Sequence, residues 1–539
     1  MTKFDENRTA KLIELARDHF DAEITDAEAR VLRDSASGIE PVLSPKDDPR
    51  PDVRAEFVCW LATDSDVATH IDLKRLRVWS ATLTGTLDLE GTTVAAVLDF
   101  RHCTFKQKIN LRFAECRSIF LLECSLEQGM EADGVTVHGQ LFLKWTESAH
   151  EIRLLSSHIE GNVECQHANL TGTDCALSAD RARIDGSFYL REGFQAAGMI
   201  RLVNAHIGSN LECAGARLTG QGTVLAADGL EIGGDVLLNG GFEAGGSISL
   251  PGARIGGDLS IFSAAVGRVS CKNMCVAGDL IWQGIQGVGN AVLDLTGAKV
   301  KTLRDDFCSW PSSSNLILDG LEYEELTLHE RPTPDQMSRN VYSFELPVGA
   351  EKRIAWLLRQ APSHCADPQP WMQLRDLMTK KGDDKGAKHV LYRFHCQQAR
   401  ASGPFLRRWK IAFAWLQEQP LRILGSIALV LLLGTAIFGH AGAGGALAPT
   451  EAEAYKAWTT GKPMPAAYPA LNPFVYVLEN SLPLVKLGQD DKWAPDKAYP
   501  SRTWHTDYWF LMWARWVLIL SGWFQATVLA AALSARFKE

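Results

Sequence analysis

No two cysteines in this 539-residue chain stand in the C-x-x-C spacing that zinc sites and redox pairs use, although twelve cysteines lie between Cys59 and Cys396. The chain also lacks a basic surplus. Its formal net charge of -9 argues against a dedicated nucleic-acid binder, so no nucleic-acid partner is expected, although local basic clusters occur. The N-terminus, Met1-Thr-Lys-Phe-Asp-Glu-Asn-Arg, has no apolar core of the secretory kind, and the thiols are therefore expected to stay free in a reducing compartment. A dinucleotide fingerprint is missing too. Gly220-Gln-Gly222 and Gly442-Ala-Gly444-Gly445 lack the third glycine and the following helix that bring backbone N–H groups onto a pyrophosphate. With no haem motif or iron–sulfur spacing either, no cofactor, metal ligand or catalytic residue is expected.

What the chain does have is a repeat. Ile159-Glu-Gly-Asn-Val, Ile184-Asp-Gly-Ser-Phe, Ile207-Gly-Ser-Asn-Leu, Ile232-Gly-Gly-Asp-Val, Ile255-Gly-Gly-Asp-Leu and Val276-Ala-Gly-Asp-Leu return every 21 to 25 residues. Gly-Phe-Gln-Ala-Ala-Gly at Gly193 returns as Gly-Phe-Glu-Ala-Gly-Gly at Gly241, so coils pair into a longer unit. Self-similarity at this period marks a solenoid. Runs such as Thr86-Leu-Asp-Leu89 and Ile248-Ser-Leu250 alternate with period 2 between turn residues, which makes the coils β rather than α. Leu, Ile, Val, Ala and Cys are expected to form inward ladders, with Gly, Asn and Asp at left-handed corners. Cys271 and Cys275 are expected to fill interior positions. His102, His158 and His206 are expected to be solvent-facing polar positions with no carboxylate set around them.

Helices flank the repeat. Leu12, Leu15, Ala16 and His19 have helical spacing; Thr25-Asp-Ala-Glu28 is a capping box that opens a second helix, ended near Gly38. Asp52 is expected to cap a third helix carrying Phe57, Val58 and Leu61. Residues 1–70 would then cover the open end of a solenoid spanning 71–330. Residues 345–402 read as a helical hairpin of the tetratricopeptide kind, in which Trp371, Leu374, Leu377 and Met378 form the apolar face of one helix and, after the Gly382-Asp-Asp turn, Ala387, Val390, Leu391 and Phe394 form that of the next.

Ala168-Asn-Leu-Thr-Gly172 and Gly215-Ala-Arg-Leu-Thr-Gly220 resemble pentapeptide-repeat units. Together with Trp310-Pro311, Leu316 to Tyr323, Gln369-Pro-Trp371, Asn472-Pro-Phe-Val-Tyr476, Leu482-Pro-Leu-Val485 and Leu487-Gly-Gln489, they make nearly the whole chain similar to a bacterial group of membrane proteins. That group pairs a pentapeptide-like β-helix with C-terminal transmembrane helices and is often labelled membrane-associated oxidoreductase. The resemblance implies an α+β fold: a parallel, right-handed β-helix with an N-terminal helical cap, a C-terminal helical hairpin and two transmembrane helices.

The C-terminal third reads as membrane sequence on its own residues. Arg407, Arg408 and Lys410 with interleaved aromatics make 403–420 a juxtamembrane amphipathic helix facing anionic lipid. Residues 421–441 form one span and 514–535 a second, with Arg515 expected to snorkel and Gln525 to seek a partner. The positive-inside rule, applied to Arg407, Arg408, Lys410 and Arg422 and to Arg536 and Lys538, puts both termini and the β-helix in the cytoplasm, at the bacterial inner membrane. The loop 442–505 then lies outside. Within it, Asn472 and Pro473 start a short helix, 472–483, that Pro483 ends.

Span, short helix, extended Gly-containing segment, span is the order of pore-loop cation channels. Asn472, Pro473, Tyr476, Glu479, Pro483, Lys486, Gly488, Gln489 and Asp490 are the candidate segment, either as a re-entrant element or as an amphipathic helix lying on the outer surface. Three functional expectations follow. The leading one is a membrane-anchored, non-enzymatic scaffold or sensor whose β-helix face binds a protein partner. The second is an oligomeric channel-like protein, and the third is the oxidoreductase of the group label.

Overall fold

The computed structural model describes residues 3–20, 24–36, 50–71, 75–311, 314–329, 349–400, 403–404, 406–408, 410–411, 421–482, 486–498 and 507–536. These form two compact units, Met1–Leu391 and Tyr392–Glu539. The expected end of the second helix near Gly38, and Pro483, lie outside the described residues.

The first unit is a parallel β-solenoid of about 11 coils. A regular coil gives one strand to a nine-stranded sheet, one to an 11-stranded sheet and two to a 20-stranded sheet, and in the last coils the two merge into one long strand and the nine-stranded sheet ends. The strands are mostly two to four residues long, because only the alternating in-out pair between corners has to pair with the next coil. At about 4.8 Å per coil the stack is roughly 50 Å long. The Ile-x-Gly phrases start one interior column: Val137, Ile159, Ile184, Ile207, Ile232, Ile255 and Val276 pair in register from coil to coil and are all buried. A second column runs Ile119, Leu141, Val163, Phe188, Leu211, Val236, Leu259, Leu280 and Leu303. Asn210, Asp235 and Asp258 stack at one corner, each side chain accepting the N–H of the next coil at 2.7–2.9 Å. This is why Asn or Asp recurs at the fourth position of the phrases, with Ser187 in the same role in one of them.

Corner chemistry is broader than the Gly, Asn and Asp expected. Phe113, Trp145, His167, Arg181 and Glu192 all take left-handed φ values between 53° and 59°. At such a corner the backbone is dictated by the coils above and below, so a strained residue is carried by the stack. Trp145 recovers contact by stacking on His167 of the next coil at 5.1 Å. Cys271 is buried as expected, whereas Cys275 points outward at the first position of its strand and is exposed. The histidines do face solvent, but each has a carboxylate on the neighbouring coil: Glu123 for His102, Asp185 for His158 and Glu231 for His206. Identical strand positions stack directly over one another, so opposite charges in successive coils meet as ladders.

Helices cover both ends of the stack. α1 (Lys3–Phe20) and α2 (Asp26–Ala36) lie at the first coil. Thr25 and Glu28 close the capping box reciprocally at 3.0 and 3.2 Å, and Arg30 donates to the carbonyls of Trp79 and Ser80. Asp52 does not cap a helix. Asp52–Arg54 pairs as a strand with Thr82–Thr84, and α3 (Ala55–Thr63) starts one turn later, because the same backbone groups satisfy the first sheet edge. α4 (Ser65–Ala68) follows, capped by Asp64.

At the far end, α5 (Ala350–Leu357) and α6 (Pro368–Lys380) close the last coil. Leu316 to Leu326 belongs to that coil. Three glutamines replace the coil that would come next: Gln360 accepts from the Leu318 N–H, Gln369 accepts from Gly320 and donates to the Leu321 carbonyl, and Gln373 donates to the Tyr323 carbonyl. An uncovered edge would be a template for another chain. Asp305 occupies an inward position near this end and is held by Arg353 and by the Trp310 indole N–H, both at 2.6 Å. α7 (Asp384–Arg400) runs across the boundary between the units.

The second unit contains α8 (Leu421–Ala443), α9 (Ala452–Thr459), α10 (Pro473–Ser481) and α11 (Tyr508–Arg536). Among the described residues one helical stretch, Leu424–Ala443, is long and apolar enough to cross a membrane. α8 exposes Leu424, Leu429, Leu432 and Leu433, and α11 exposes Trp513, Trp516, Val517, Leu520 and Trp523. Leu447–Pro449 and Trp493–Pro495 form a small antiparallel strand pair beside a core of Phe438, Leu447, Tyr476, Val477, Trp493, Leu511 and Leu518.

Candidate functional site: a short helix and its return loop between two apolar helices

α10 begins because Asn472 accepts the N–H groups of Phe474 and Val475, while Pro473 at the first position has no N–H to satisfy. It then runs antiparallel to α8. A Cβ on Gly439 would meet Pro473 at 3.6 Å and one on Gly434 would meet Val477 at 2.7 Å. Lower still, Leu478, Ser481 and Leu482 line a cleft of about 120 Å³ with Ile427 and Leu431 of α8 and Leu529 of α11. From Gly439 to Ile427 is roughly 18 Å along α8, so the short helix and the residue after it lie against about half of its length. On the other side a Cβ on Gly522 of α11 would overlap the Ser481 carbonyl. Glycine inside a helix costs about 1 kcal/mol, and here it admits a third helix between two others.

Polar side chains gather where α10 meets its return loop. Glu479 is buried, and its carboxylate accepts four successive backbone N–H groups, from Leu487, Gly488, Gln489 and Asp490, at 2.7–3.1 Å. Gly488 takes φ 79°, the left-handed value that turns consecutive N–H groups to one side. Gln489 is buried and ties the loop to the helix start, accepting from Asn472 N–H at 3.1 Å and donating to the Ala470 carbonyl at 3.1 Å. Arg515 of α11 donates to Asn480 at 2.9 Å and pairs with Asp490, its guanidinium 5.9 Å from the Tyr476 ring. Rather than reaching away from the bundle, Arg515 is turned in and clamps helix and loop together. The Tyr476 ring is fully buried beside Phe438, and its hydroxyl has no hydrogen-bond partner among the described residues.

The remaining residues singled out from sequence fall elsewhere. Lys486 is exposed on the loop. Gln525 donates from α11 to Ser426 of α8 at 3.4 Å, near the cleft. Arg407, Arg408 and Lys410 are helical and exposed, outside the cluster. Asn480, Ser481, Gly434 and Gly522 were not singled out. Only the glycines carry a signal, since glycine within an apolar helix leaves room for a close neighbour, although Gly425 of α8 has none within 4 Å.

A second feature lies on the outside of the solenoid. Glycines 208, 233 and 256 stack where a Cβ would overlap a carbonyl of the preceding coil. They leave an open groove of about 900 Å³ lined by His206, Glu231, Arg254, Cys275 and Lys299. Its charges are matched within the wall by Glu231, which pairs with His206 and Arg254, and beyond it by Glu322, which pairs with Lys299 at 3.0 Å. Gly222 leads directly into the strand Thr223–Ala226, and no group of three or more potential metal ligands occurs among the described residues.

Comparison with known proteins gives no matching family model, no matching curated protein and no similar solved structure.

Proposed function

We propose that the chain is an integral membrane protein in which α8 and α11 cross the bilayer, α10 and its return loop form a re-entrant element, and several copies enclose a water-filled path. The observation that carries this is the position of α10 between two helices whose outer faces are exposed leucine and tryptophan. Loop 486–490 is irregular backbone beside Glu479 and beside Arg515, which lies roughly 10 Å along α11 from its start at Tyr508. In hydrocarbon such a segment is tolerated only against protein or water. In a single copy Lys486, Leu487 and Gly488 are exposed, so copies arranged around a common axis would give that loop water instead of lipid. Arg407, Arg408 and Lys410 would lie at the anionic cytoplasmic surface, with the solenoid and both termini on that side of the inner membrane. The test is to reconstitute the full chain in lipid vesicles and measure particle mass and ion flux. Multimers with flux support the proposal; monomers without flux refute it.

A second reading, a non-enzymatic scaffold or sensor, is favoured by the solenoid groove. Its accessible wall suits a protein partner, and the interior behind it is filled by ladders of buried side chains. Enrichment of one protein by the full chain, lost on blocking Cys275 with a bulky maleimide, would support it. Unchanged enrichment would exclude the groove.

A further inference from the structure

We propose that the loop 486–490 presents backbone oxygens to a monovalent cation, with Glu479 as the positioning residue that decides the sign of the charge admitted. The inference rests on the pore reading above and assigns its substrate class.

Four successive N–H groups turned to one side make a concavity that ordinarily takes an anion. Here the protein fills it from within: the Glu479 carboxylate takes the N–H groups of Leu487, Gly488, Gln489 and Asp490. In a planar trans peptide the C=O points opposite to the N–H of the same unit. The carbonyls of Lys486, Leu487 and Gly488 are therefore turned away from Glu479, on the exposed side of the loop. The Gln489 carbonyl is already engaged by the N–H groups of Lys492 and Trp493. What the loop offers outward is thus a row of acceptors, with its donors consumed. Carbonyl oxygens replace the hydration shell of a weakly hydrated cation and give nothing to chloride. Arg515 adds no free positive charge to this surface, because Asp490 pairs with it. Lys486 is the one opposing charge on the loop, and it is exposed on a long flexible side chain.

The experiment uses the full chain in vesicles of phosphatidylethanolamine and phosphatidylglycerol under a KCl gradient, with a potential-sensitive dye reporting which ion moves. Wild type is expected to favour potassium over chloride by roughly tenfold or more, and Glu479→Ala, which frees the four N–H groups, is expected to lower that ratio severalfold. Lys486→Gln should keep or raise the ratio, and together with wild type it decides the matter if Glu479→Ala does not fold. Ion flux without cation preference in wild type overturns the assignment and leaves the pore standing. A folded Glu479→Ala that keeps the wild-type ratio overturns the role of Glu479. Multimers in the vesicles that pass no ion remove the pore reading and this inference with it.

Discussion

Gly522→Ala tests most severely whether α10 truly sits between α8 and α11. A Cβ at position 522 would overlap the Ser481 carbonyl oxygen and lie 2.6 Å from its carbon and 3.0 Å from its Cα, where ordinary contact starts at 3.4 Å. The obstacle is backbone, so no rotamer change relieves it, and the helices must part by roughly an ångström. Overpacking of this kind costs about 1–3 kcal/mol. Gly425→Ala is the matched control: nothing lies within 4 Å of its Cβ, and alanine there should stabilise α8 by up to about 1 kcal/mol. The reporter is Val477→Cys, at a fully buried position of α10, with maleimide labelling followed in lipid nanodiscs. If opening of the bundle governs labelling, Gly522→Ala should speed it by roughly 5- to 100-fold, at 1.4 kcal/mol per factor of ten. Gly425→Ala should leave it unchanged or slow it. Equal labelling of both variants would refute the packing on which the re-entrant element depends.

Other outcomes follow from the first unit. Asp305→Asn leaves Arg353 buried with its charge uncompensated, and thermal unfolding should show a loss of about 3–5 kcal/mol. Replacing Gln369 by Leu strips the last coil of one donor and one acceptor; a loss of about 1–3 kcal/mol per unsatisfied group and end-to-end association in sedimentation are expected. Burial by itself would raise the Glu28 carboxyl, but the Arg54 ion pair and the Thr25 N–H outweigh it and hold it below its ordinary 4.5. Its folded value lies below the unfolded one, so its stabilisation is present above pH 4.5 and lost as pH falls through the folded value. Hydrogen exchange of α2 should therefore quicken in acid more for wild type than for Glu28→Gln. Burial pushes the thiols of Cys116, Cys213 and Cys271 up to about 12, so native-state alkylation should reach exposed Cys275 and Cys308 first.

The solenoid was legible because each coil repeats the same local demand. Ile159, Ile184, Ile207 and Ile232 recur where one inward column needs a large apolar side chain, and period 2 distinguishes strand from helix without knowledge of the rest. The capping box at Thr25 and Glu28 is local in the same way. Asp52 misled because cap and strand edge draw on the same residue type, and the choice was made by pairing with Thr82–Thr84, 30 residues away. The three glutamines that close the last coil could not be read, since their role depends on which backbone groups are left when the repeat stops. Around α10, Asn472 and Pro473 announce a helix start, but nothing local says what flanks it. The contacts of Glu479 with 487–490 and of Arg515 with Asn480 and Asp490 cross up to 35 residues and exist only once three helices are packed.

The most direct measurement is an electron cryomicroscopy map of the full chain in lipid nanodiscs. Copies of the chain are expected around a common axis, with α10 at bilayer depth between α8 and α11 and residues 486–490 of every copy facing that axis. A monomer, or a multimer in which residues 473–481 lie flat on the membrane surface, would contradict the account.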